Sequence, residues 1–274
     1  MRMASVGDNC VDRYLEEGIG FPGGSAVNAA VFAARLGVGS AYHGIVGSDA
    51  EGQGIVDALR AEGVDVSGVR VSDEQTSITD IRIDEDGNRI FTAYVPPRSH
   101  VVLGDAELEV LAGRDWIHTG HSSRTLAQIP ALSRLAPIVF DFSYTSVESA
   151  IDVVDHLAIA AFSRETESEE VCFALAHDAV ERGARIAVVT RGARGAIATD
   201  GRTNHTQAAA PVDVVDTTGA GDAFQTAFAR AVFSGASIPD ALEAATAFAA
   251  TVCTYRGAFG HPTPLEEKEV LRDR

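Results

Sequence analysis

The stretch DTTGAGDAF, residues 216–224, combines groups that can hold and transfer an anion. Gly219, Ala220 and Gly221 precede an apolar helical pattern, so their N–H groups are expected at a helix N-terminus, unobstructed by bulky side chains. Unpaired N–H groups and the positive end of the helix dipole favour a bound phosphate. Asp222 stands in the same first turn, where its carboxylate would repel a phosphate that stayed bound.

A phosphoryl group in transit between two oxygens resolves this conflict. Its charge spreads over equatorial oxygens that N–H groups stabilise, while the acceptor hydroxyl must lose a proton that a neighbouring carboxylate can accept. We therefore predict that Asp222 is a general base and that residues 219–221 form its anion hole. The alternative is that Asp222 only complements the helix dipole, which explains the acid but not the glycines beside it.

A second glycine-rich helix start lies in FPGGSAVNAAVFAARLG, residues 21–37. Gly23 and Gly24 would let a ligand approach the backbone closely. Ser25 is the expected N-cap, and Asn28 lies about one turn into the helix, where it can donate and accept hydrogen bonds. The alternative is a tight strand-to-helix turn with a solvated asparagine.

The elements that must position these groups alternate along the chain. Apolar runs predict strands at 3–7, 40–46, 116–120, 137–142, 157–162, 185–190 and 195–200. Helical patterns lie at 25–36, 51–62, 123–135, 169–182, 220–234 and 238–254. This order implies right-handed βαβ crossovers and a doubly wound, mostly parallel sheet with helices on both faces. We expect one α/β domain over residues 1–274.

Residues 76–95 interrupt the alternation. Polar and apolar residues alternate on both sides of DEDGN, and Asp86-Gly87 predicts the turn of a β-hairpin. A hairpin inserted after a βα unit would project from the sheet, either as a lid over a site or as a decorative or dimerising element. We expect a small β lid built mainly from 76–95, together with the loop near 13–20.

Composition restricts the partners and the compartment. The net charge of −17 argues against nucleic acid or an anionic membrane as partner. Three widely spaced cysteines fit a reducing compartment, and no apolar run is long enough for a membrane helix, so we expect a soluble cytoplasmic protein. Lys268 is the only lysine, which argues against P-loop and protein-kinase chemistry. Anions must then be bound by arginine, backbone N–H groups or a metal.

Taken together, GGSAVNAAVFAARLG and DTTGAGDAF resemble the N- and C-terminal signatures of the ribokinase family, the phosphofructokinase B-type carbohydrate kinases. The resemblance runs from Val6 to about Pro262. It implies a ribokinase-like doubly wound α/β fold with a small β-strand lid. It also implies transfer of the γ-phosphate of ATP, with Mg²⁺, to a hydroxymethyl group of a sugar or nucleoside, and a homodimer formed through the lid.

Position by position, the resemblance implies roles for further residues around the sugar. Asp222 matches the catalytic base of the family. Asp12, in GDNCVD after the first strand, matches the acid that binds sugar hydroxyls. Gly23, Gly24 and Asn28 match the glycine pair and the amide that contact the sugar.

The nucleotide side is implied by TRGARG, which resembles the T-x-G-x-x-G motif of the family and assigns Thr190, Gly192 and Gly195 to ATP. Many members also carry an N-x-x-E motif tied to magnesium. Here SRETE supplies Glu167, which implies an indirect Mg²⁺ role, but Arg164 stands in place of the asparagine and could reach a phosphate.

Two further segments bear on cations and on the substrate. Asp216 and YRGAFG, residues 255–260, resemble the loop that holds a monovalent cation such as K⁺ beside the anion hole. Ribokinase itself has a sugar-contacting glutamate near the end of the middle strand. This chain has HTGHSS, residues 118–123, in that place, which argues against ribose as the substrate.

GDNCVD, DFS and YRGAFG resemble, within this family, the group that phosphorylates fructoselysine. In that group Asp8 joins Asp12, and an extra carboxylate suits the secondary ammonium of a fructosamine. The alternative is that Asp8 merely caps its loop. Arg98, in VPPRSH, is expected to meet an amino-acid carboxylate from the lid.

The sequence thus predicts an ATP-dependent kinase acting on the 6-hydroxyl of a fructosamine. Two alternatives stay open at this point. One is a kinase for another sugar, a sugar acid or a nucleoside, and the other is a non-catalytic sugar-binding or regulatory protein.

Overall fold

The apolar runs of the sequence form strands in the computed structural model, which describes residues 1–83, 89–97 and 99–265. The strands are β1 (Arg2–Val6), β2 (Cys10–Tyr14), β3 (Ile19–Gly23), β4 (Gly39–Gly47), β5 (Asp65–Ser72), β6 (Ile78–Ile83), β7 (Arg89–Val95), β8 (Trp116–Gly120), β9 (Ile138–Ser143), β10 (Leu157–Ser163), β11 (Ile186–Thr190), β12 (Ala196–Thr199), β13 (Asn204–Gln207) and β14 (Thr263–Pro264). The α-helices are α1 (Ser25–Arg35), α2 (Ala50–Ala61), α3 (Asp105–Leu111), α4 (Ile129–Leu132), α5 (Glu169–Glu181), α6 (Ala220–Phe233) and α7 (Ile238–Val252).

The large sheet has nine strands in the order β13-β12-β11-β10-β9-β8-β1-β4-β5. All neighbours from β11 to β5 are parallel, while β12 and β13 are antiparallel at one edge. The central strands are apolar on both faces because helices cover both sides of a parallel sheet. The predicted doubly wound, mostly parallel sheet is confirmed.

Neighbouring residues of one strand pack against different helical layers. Met3 faces the layer that contains α1, α6 and α7, while Ala4 faces the layer that contains α3, α4 and α5. Helix α2 packs beside α1 in a third apolar cluster. None of the helices in the described part of the chain combines the length and apolar character needed to span a membrane.

One predicted helix is wrong. Residues 123–135 form short 3₁₀ turns followed by the single turn α4, rather than one continuous helix. Arg124 adopts a left-handed conformation with φ 54°, and Pro130 lies at the start of α4, where its missing N–H is tolerated. Both features interrupt the backbone hydrogen bonds that a longer helix requires.

A second sheet, in the order β14-β3-β2-β6-β7, forms the small β layer expected as a lid. The hairpin β6–β7 comes from residues 76–95. Residues 13–20, expected as a loop of the lid, include the end of β2, which is the central strand, and the start of β3. Tyr14, Phe21 and Ile81 form its small apolar core. The predicted turn at Asp86-Gly87 and the predicted contact of Arg98 lie outside the described residues.

Candidate active site

The N-termini of α1 and α6 meet at the carboxyl edge of the large sheet, and this junction contains the candidate site. Asn28 Nδ2 donates a hydrogen bond to Asp222 Oδ2 at 2.7 Å. The two glycine-rich helix starts, which are far apart in sequence, therefore face one common space. This proximity is what a shared sugar and phosphate site requires.

The start of α6 forms an open backbone cradle. Gly219 is the N-cap residue with φ 74°, and nothing lies within 4 Å of the position that a Cβ on Gly221 would occupy. Ala220 N–H donates to the carbonyl oxygen of Thr217 at 3.2 Å. Within the described residues, the N–H groups of Gly219 and Gly221 have no protein acceptor. The cradle thus offers two unpaired N–H groups, where the sequence suggested three.

Asp222 is half-buried beside this cradle. Burial, followed by the negative charge of Asp141, raises the pKa of Asp222 to about 7, although the hydrogen bond from Asn28 acts in the opposite direction. A carboxylate with a pKa near neutrality is a stronger proton acceptor than an ordinary aspartate and still has a large deprotonated fraction at pH 7. The geometry and protonation of Asp222 suit a general base.

Asp12 and the glycine pair form the part of the site contributed by the lid sheet. Asp12 is buried on β2, and a Cβ on Gly23 would lie 2.8 Å from its Oδ2. Gly24 has φ 102°, and a Cβ there would lie 2.6 Å from Asn9 Cα. Glycine is required at position 24, where the backbone of Asn9 leaves no room for a side chain, whereas a side chain at position 23 would displace the carboxylate of Asp12.

Asp8 takes the capping role that the sequence assigned to Ser25. The N-cap residue of α1 is Gly24, and Asp8 Oδ2 accepts a hydrogen bond from Ser25 N–H at 2.8 Å. Asp8 Oδ1 accepts another from Ser123 Oγ at 2.7 Å. The prediction of Ser25 as N-cap is wrong, because Gly24 is the N-cap residue and a carboxylate from the loop after β1 accepts the N–H of Ser25. These two hydrogen bonds of Asp8 support the alternative that it caps its loop.

A buried polar cluster behind Asp222 was not predicted. Asp141, on β9, accepts hydrogen bonds from Gln225 Nε2 at 2.9 Å and from Ser25 Oγ at 3.3 Å. His118 Nε2 lies 3.4 Å from the same serine oxygen. One signal could have revealed this cluster: Gln225 is a long polar residue one turn after Asp222, within a helical pattern that is mostly apolar.

The predicted nucleotide residues lie at the same carboxyl edge, where β11 turns into β12. Thr190 ends β11, and Arg191 N–H donates to the carbonyl oxygen of Gly195 at 2.7 Å. Gly192 and Gly195 have φ 56° and 85°, and a Cβ on Gly195 would overlap the carbonyl oxygen of Gln207. This tight turn exposes backbone at the edge of the sheet.

Arg164 follows β10 and holds the loop after β9. Its guanidinium donates to the carbonyl oxygens of Ser143 at 3.1 Å, Thr145 at 2.6 Å and Ser163 at 2.6 Å. These three carbonyl groups orient the Arg164 side chain. The contact between Arg164 and a phosphate stays a prediction.

Glu167 is exposed shortly before α5. Among the described residues, no group of three or more His, Cys, Asp and Glu side chains is placed to hold a metal ion. Magnesium at a nucleotide commonly keeps several waters and takes one or two carboxylates. An exposed glutamate at this edge fits that indirect role.

Asp216 does not fit a directly bound monovalent cation. Its Oδ1 accepts hydrogen bonds from Thr218 N–H and Oγ1, both at 2.9 Å. Its Oδ2 accepts from Tyr14 OH at 2.7 Å and from Gly257 N–H at 3.0 Å. A cation would have to displace one of these donors. The carboxylate instead connects Tyr14 on strand β2 and the loop at Gly257 with Thr218, just before α6.

A family model described as pfkB family carbohydrate kinase matches residues 16–129 and 153–264. The chain belongs to the pfkB family of carbohydrate kinases. As a member of this family it is a phosphotransferase with an alcohol group as acceptor, and the predicted resemblance to the ribokinase family is confirmed.

Two similar pfkB-family proteins align with nearly the whole chain. Fructosamine kinase FrlD of Bacillus subtilis strain 168 is 35% identical over 269 residues, which cover 96% of this chain and 95% of that protein. Fructoselysine 6-kinase of Escherichia coli strain K12 is 35% identical over 263 residues, which cover 94% of this chain and 99% of that protein.

Solved structures of other sugar kinases share the fold. Ribokinase of Arabidopsis thaliana, complexed with ribose and ATP, has a TM-score of 0.81 at 23% identity, over 98% of this chain and 97% of the other. Fructokinase of Vibrio cholerae O395, with fructose, ADP and calcium bound, has a TM-score of 0.76 at 24% identity, over 98% and 97%. The predicted ribokinase-like α/β fold class is confirmed.

Proposed function

We propose that this pfkB-family kinase transfers the γ-phosphate of ATP to the 6-hydroxyl of a fructosamine of the fructoselysine type. The names of the two relatives at 35% identity support this substrate class. Support from the chain itself comes from the charge of the site, which favours a cationic group on the sugar over a neutral sugar.

The observation that carries the proposal is a set of carboxylates without cationic partners. Asp8 and Asp141 lie close enough to Asp222 for their charges to raise its pKa. Across the described ranges, no arginine or histidine forms an ion pair with any of these three carboxylates. A group of carboxylates of one sign attracts the opposite charge. The secondary ammonium of a fructosamine supplies it.

The chemistry assigned to the residues is a single phosphoryl transfer. Asp222 accepts the proton of the 6-hydroxyl, while the N–H groups of Gly219 and Gly221 stabilise charge on the phosphoryl oxygens. Thr190, Gly192 and Gly195 hold the nucleotide.

Magnesium and the lid complete the proposed site. Bound Mg²⁺ would neutralise phosphate charge, with Glu167 acting through water. We assign Asp12, Gly23, Gly24 and Asn28 to the sugar. The lid sheet above them excludes water, which would otherwise compete with the sugar as acceptor.

A panel of acceptors tests this function through ADP release. Fructoselysine should give a kcat/KM at least about tenfold above that of fructose, since a desolvated charge pair contributes about 1.5–3 kcal/mol. Ribose, a sugar acid and a nucleoside complete the panel. Preference for fructose or for any of these three acceptors would overturn the fructosamine assignment. If no acceptor stimulates ADP release, the assignment of a sugar-kinase site to these residues is overturned as well.

The variant Asp8→Asn tests the charge directly. Asparagine can still accept the hydrogen bond from Ser25 N–H, so the cap on α1 is kept while the charge is lost. We expect kcat/KM for fructoselysine to fall about tenfold or more, and that for fructose to change less than about threefold. Equal losses with both sugars would show that Asp8 only supports the fold of its loop.

The edge strand β7 supports a homodimer formed through the lid. Tyr94 and Val95 are 60% and 41% exposed on this strand, where backbone and apolar groups face solvent. Sedimentation should report a dimer that Tyr94→Asp converts to monomer. Tyr144→Asp, which changes another exposed tyrosine, should leave the dimer intact. A monomeric unmodified protein would contradict the proposal.

A further inference from the structure

Asp141 is a buried carboxylate that the reaction outlined above does not use. It lies near the end of β9, is 9% exposed, and faces the layer of α1 and α6. Its Oδ1 accepts hydrogen bonds from Gln225 Nε2 at 2.9 Å and from Ser143 N–H at 2.8 Å. Its Oδ2 accepts one from Ser25 Oγ at 3.3 Å. Burial raises the pKa of Asp141, while the hydrogen bonds from Gln225 and Ser143 lower it. A buried carboxyl group held by three donors is a built feature of the site.

The partners of Asp141 belong to the two helices that hold Asp222. Gln225 follows Asp222 by one turn on α6, and Ser25 precedes Asn28 by one turn on α1. Asn28 in turn donates to Asp222 at 2.7 Å. Asp141 therefore connects the helix that carries the base with the helix that orients it.

The backbone beside Asp141 is fixed in a costly conformation. Ser143 has φ 53°, a left-handed conformation that is uncommon for a residue with a side chain. In this conformation its N–H donates to Asp141 while its carbonyl oxygen accepts from Arg164 Nη1 at 3.1 Å. Arg164 thereby supports the loop that holds Asp141 in place.

We propose that Asp141 is a positioning residue for the base: its carboxylate lies behind Asp222, and its hydrogen bonds with Gln225 and Ser25 keep α6 and α1 in register around that base. This inference rests on the proposed function, in which Asp222 deprotonates the acceptor hydroxyl. It assigns a role in the reaction to a residue that does not touch the substrate.

The charges that face Asp222 come from few elements. Two uncharged side chains of α1, Ser25 and Asn28, act on Asp222 through hydrogen bonds, and Asp8 acts on it from the loop after β1 through its charge. On β8, burial lowers the pKa of His118 to about 4, so this imidazole is neutral at pH 7. The charge of Asp141 is the largest electrostatic contribution to the raised pKa of Asp222, after burial itself.

The variant Asp141→Asn separates charge from shape. The asparagine oxygen can accept the same hydrogen bonds from Gln225 and Ser143 N–H, so the packing is kept. We expect the acid limb of the profile of kcat/KM against pH to move to lower pH by about half a unit or more, because the base loses a neighbouring negative charge. The plateau rate should fall by about three- to tenfold, as a weaker base accepts the proton less readily.

Two controls make the outcome decisive. Asp49→Asn removes a carboxylate that caps α2, away from Asp222, and should leave the midpoint of the acid limb unchanged. Carbon-13 NMR of the unmodified protein gives a second measurement: Asp141 should lose its proton at lower pH than Asp222, because its charge must be present where Asp222 titrates.

The results also distinguish this inference from the proposed function. If Asp141→Asn lowers the plateau rate but leaves the midpoint of the acid limb unchanged, Asp141 only supports the fold and the proposal is rejected. If Asp141→Asn does not fold, an Asp141 midpoint above that of Asp222 in the unmodified protein rejects the proposal on its own, because Asp141 would then be neutral where Asp222 titrates. Near-normal turnover of Asp222→Asn would instead reject Asp222 as the base.

Discussion

Asp222→Asn is expected to lower kcat by about three orders of magnitude while nucleotide affinity changes little. A positioned general base contributes about 10²- to 10⁴-fold, and asparagine cannot accept the proton of the acceptor hydroxyl. The amide can still pair with Asn28, which lies 2.7 Å from the carboxylate, so the local packing is kept. Steady-state ADP release measures kcat, and titration calorimetry with an ATP analogue measures binding.

The pH dependence of the unmodified protein gives a second readout of the same residue. Since the pKa of Asp222 is raised to about 7 and only its deprotonated form accepts a proton, kcat/KM should rise with pH through about pH 7. Asp222→Asn should lose this acid limb. The residual rate of that variant should not depend on pH in this range.

A matched control addresses the alternative that Asp222 only complements a helix dipole. Asp240 stands in the first turn of α7, as Asp222 does in α6. Asp240→Asn should cost a few tenths of a kcal/mol in stability, with kcat unchanged. If the two variants behave alike, or if Asp222→Asn keeps more than about a tenth of the normal kcat, the general-base role is refuted.

The parts of this site that could be predicted from the sequence are those encoded by adjacent residues. Glycines followed by an apolar helical pattern placed the start of α6 at 220, and the structure begins the helix at Ala220. Gly37 ends α1 in the left-handed region, at φ 77°, for the same local reason. Strands β1, β8, β10 and β11 were predicted because each is a short apolar run between turn residues.

The parts that were missed depend on residues distant in the chain. Ser25 looked like an N-cap because its type favours that position, but Asp8 reaches the helix start through the loop after β1. The bonds from Gln225 and Ser25 to Asp141 join residues more than 80 positions apart. Periodicity and residue type carry no information on such pairings, which arise only once the sheet has set the order of its strands.

The lid sheet shows the same division between local and distant signals. Alternation of residues predicted the hairpin of β6 and β7, since both strands are contiguous in sequence. The position of β2 between β3 and β6 could not be predicted, because β2 pairs in parallel with a strand more than 60 residues away. Asp12 owes its place in the site to this pairing.

Gly219→Ala is expected to have the second largest effect, a loss of about 10²- to 10³-fold in kcat. Gly219 has φ 74°, and a Cβ there would lie 2.5 Å from Ala258 Cβ and 3.4 Å from Asn28 Nδ2. The backbone must rotate away to relieve this overlap, which moves the N–H groups of Gly219 and Gly221 from the position of the phosphoryl oxygens. Because catalysis depends on that alignment, kcat should fall more than the affinity for either substrate.

Gly235→Ala separates this effect from the general cost of a left-handed alanine. Gly235 follows α6 with φ 88°, and nothing lies within 4 Å of the Cβ that alanine would add. Both variants should lose about 1–2 kcal/mol of unfolding free energy, since alanine is strained at positive φ. Gly219→Ala alone should lose turnover, because its overlap displaces the anion hole, whereas the strain at Gly235 stays at the end of the helix. A comparable kcat in the two variants would mean that the N–H groups at 219–221 do not stabilise the transferred phosphoryl group.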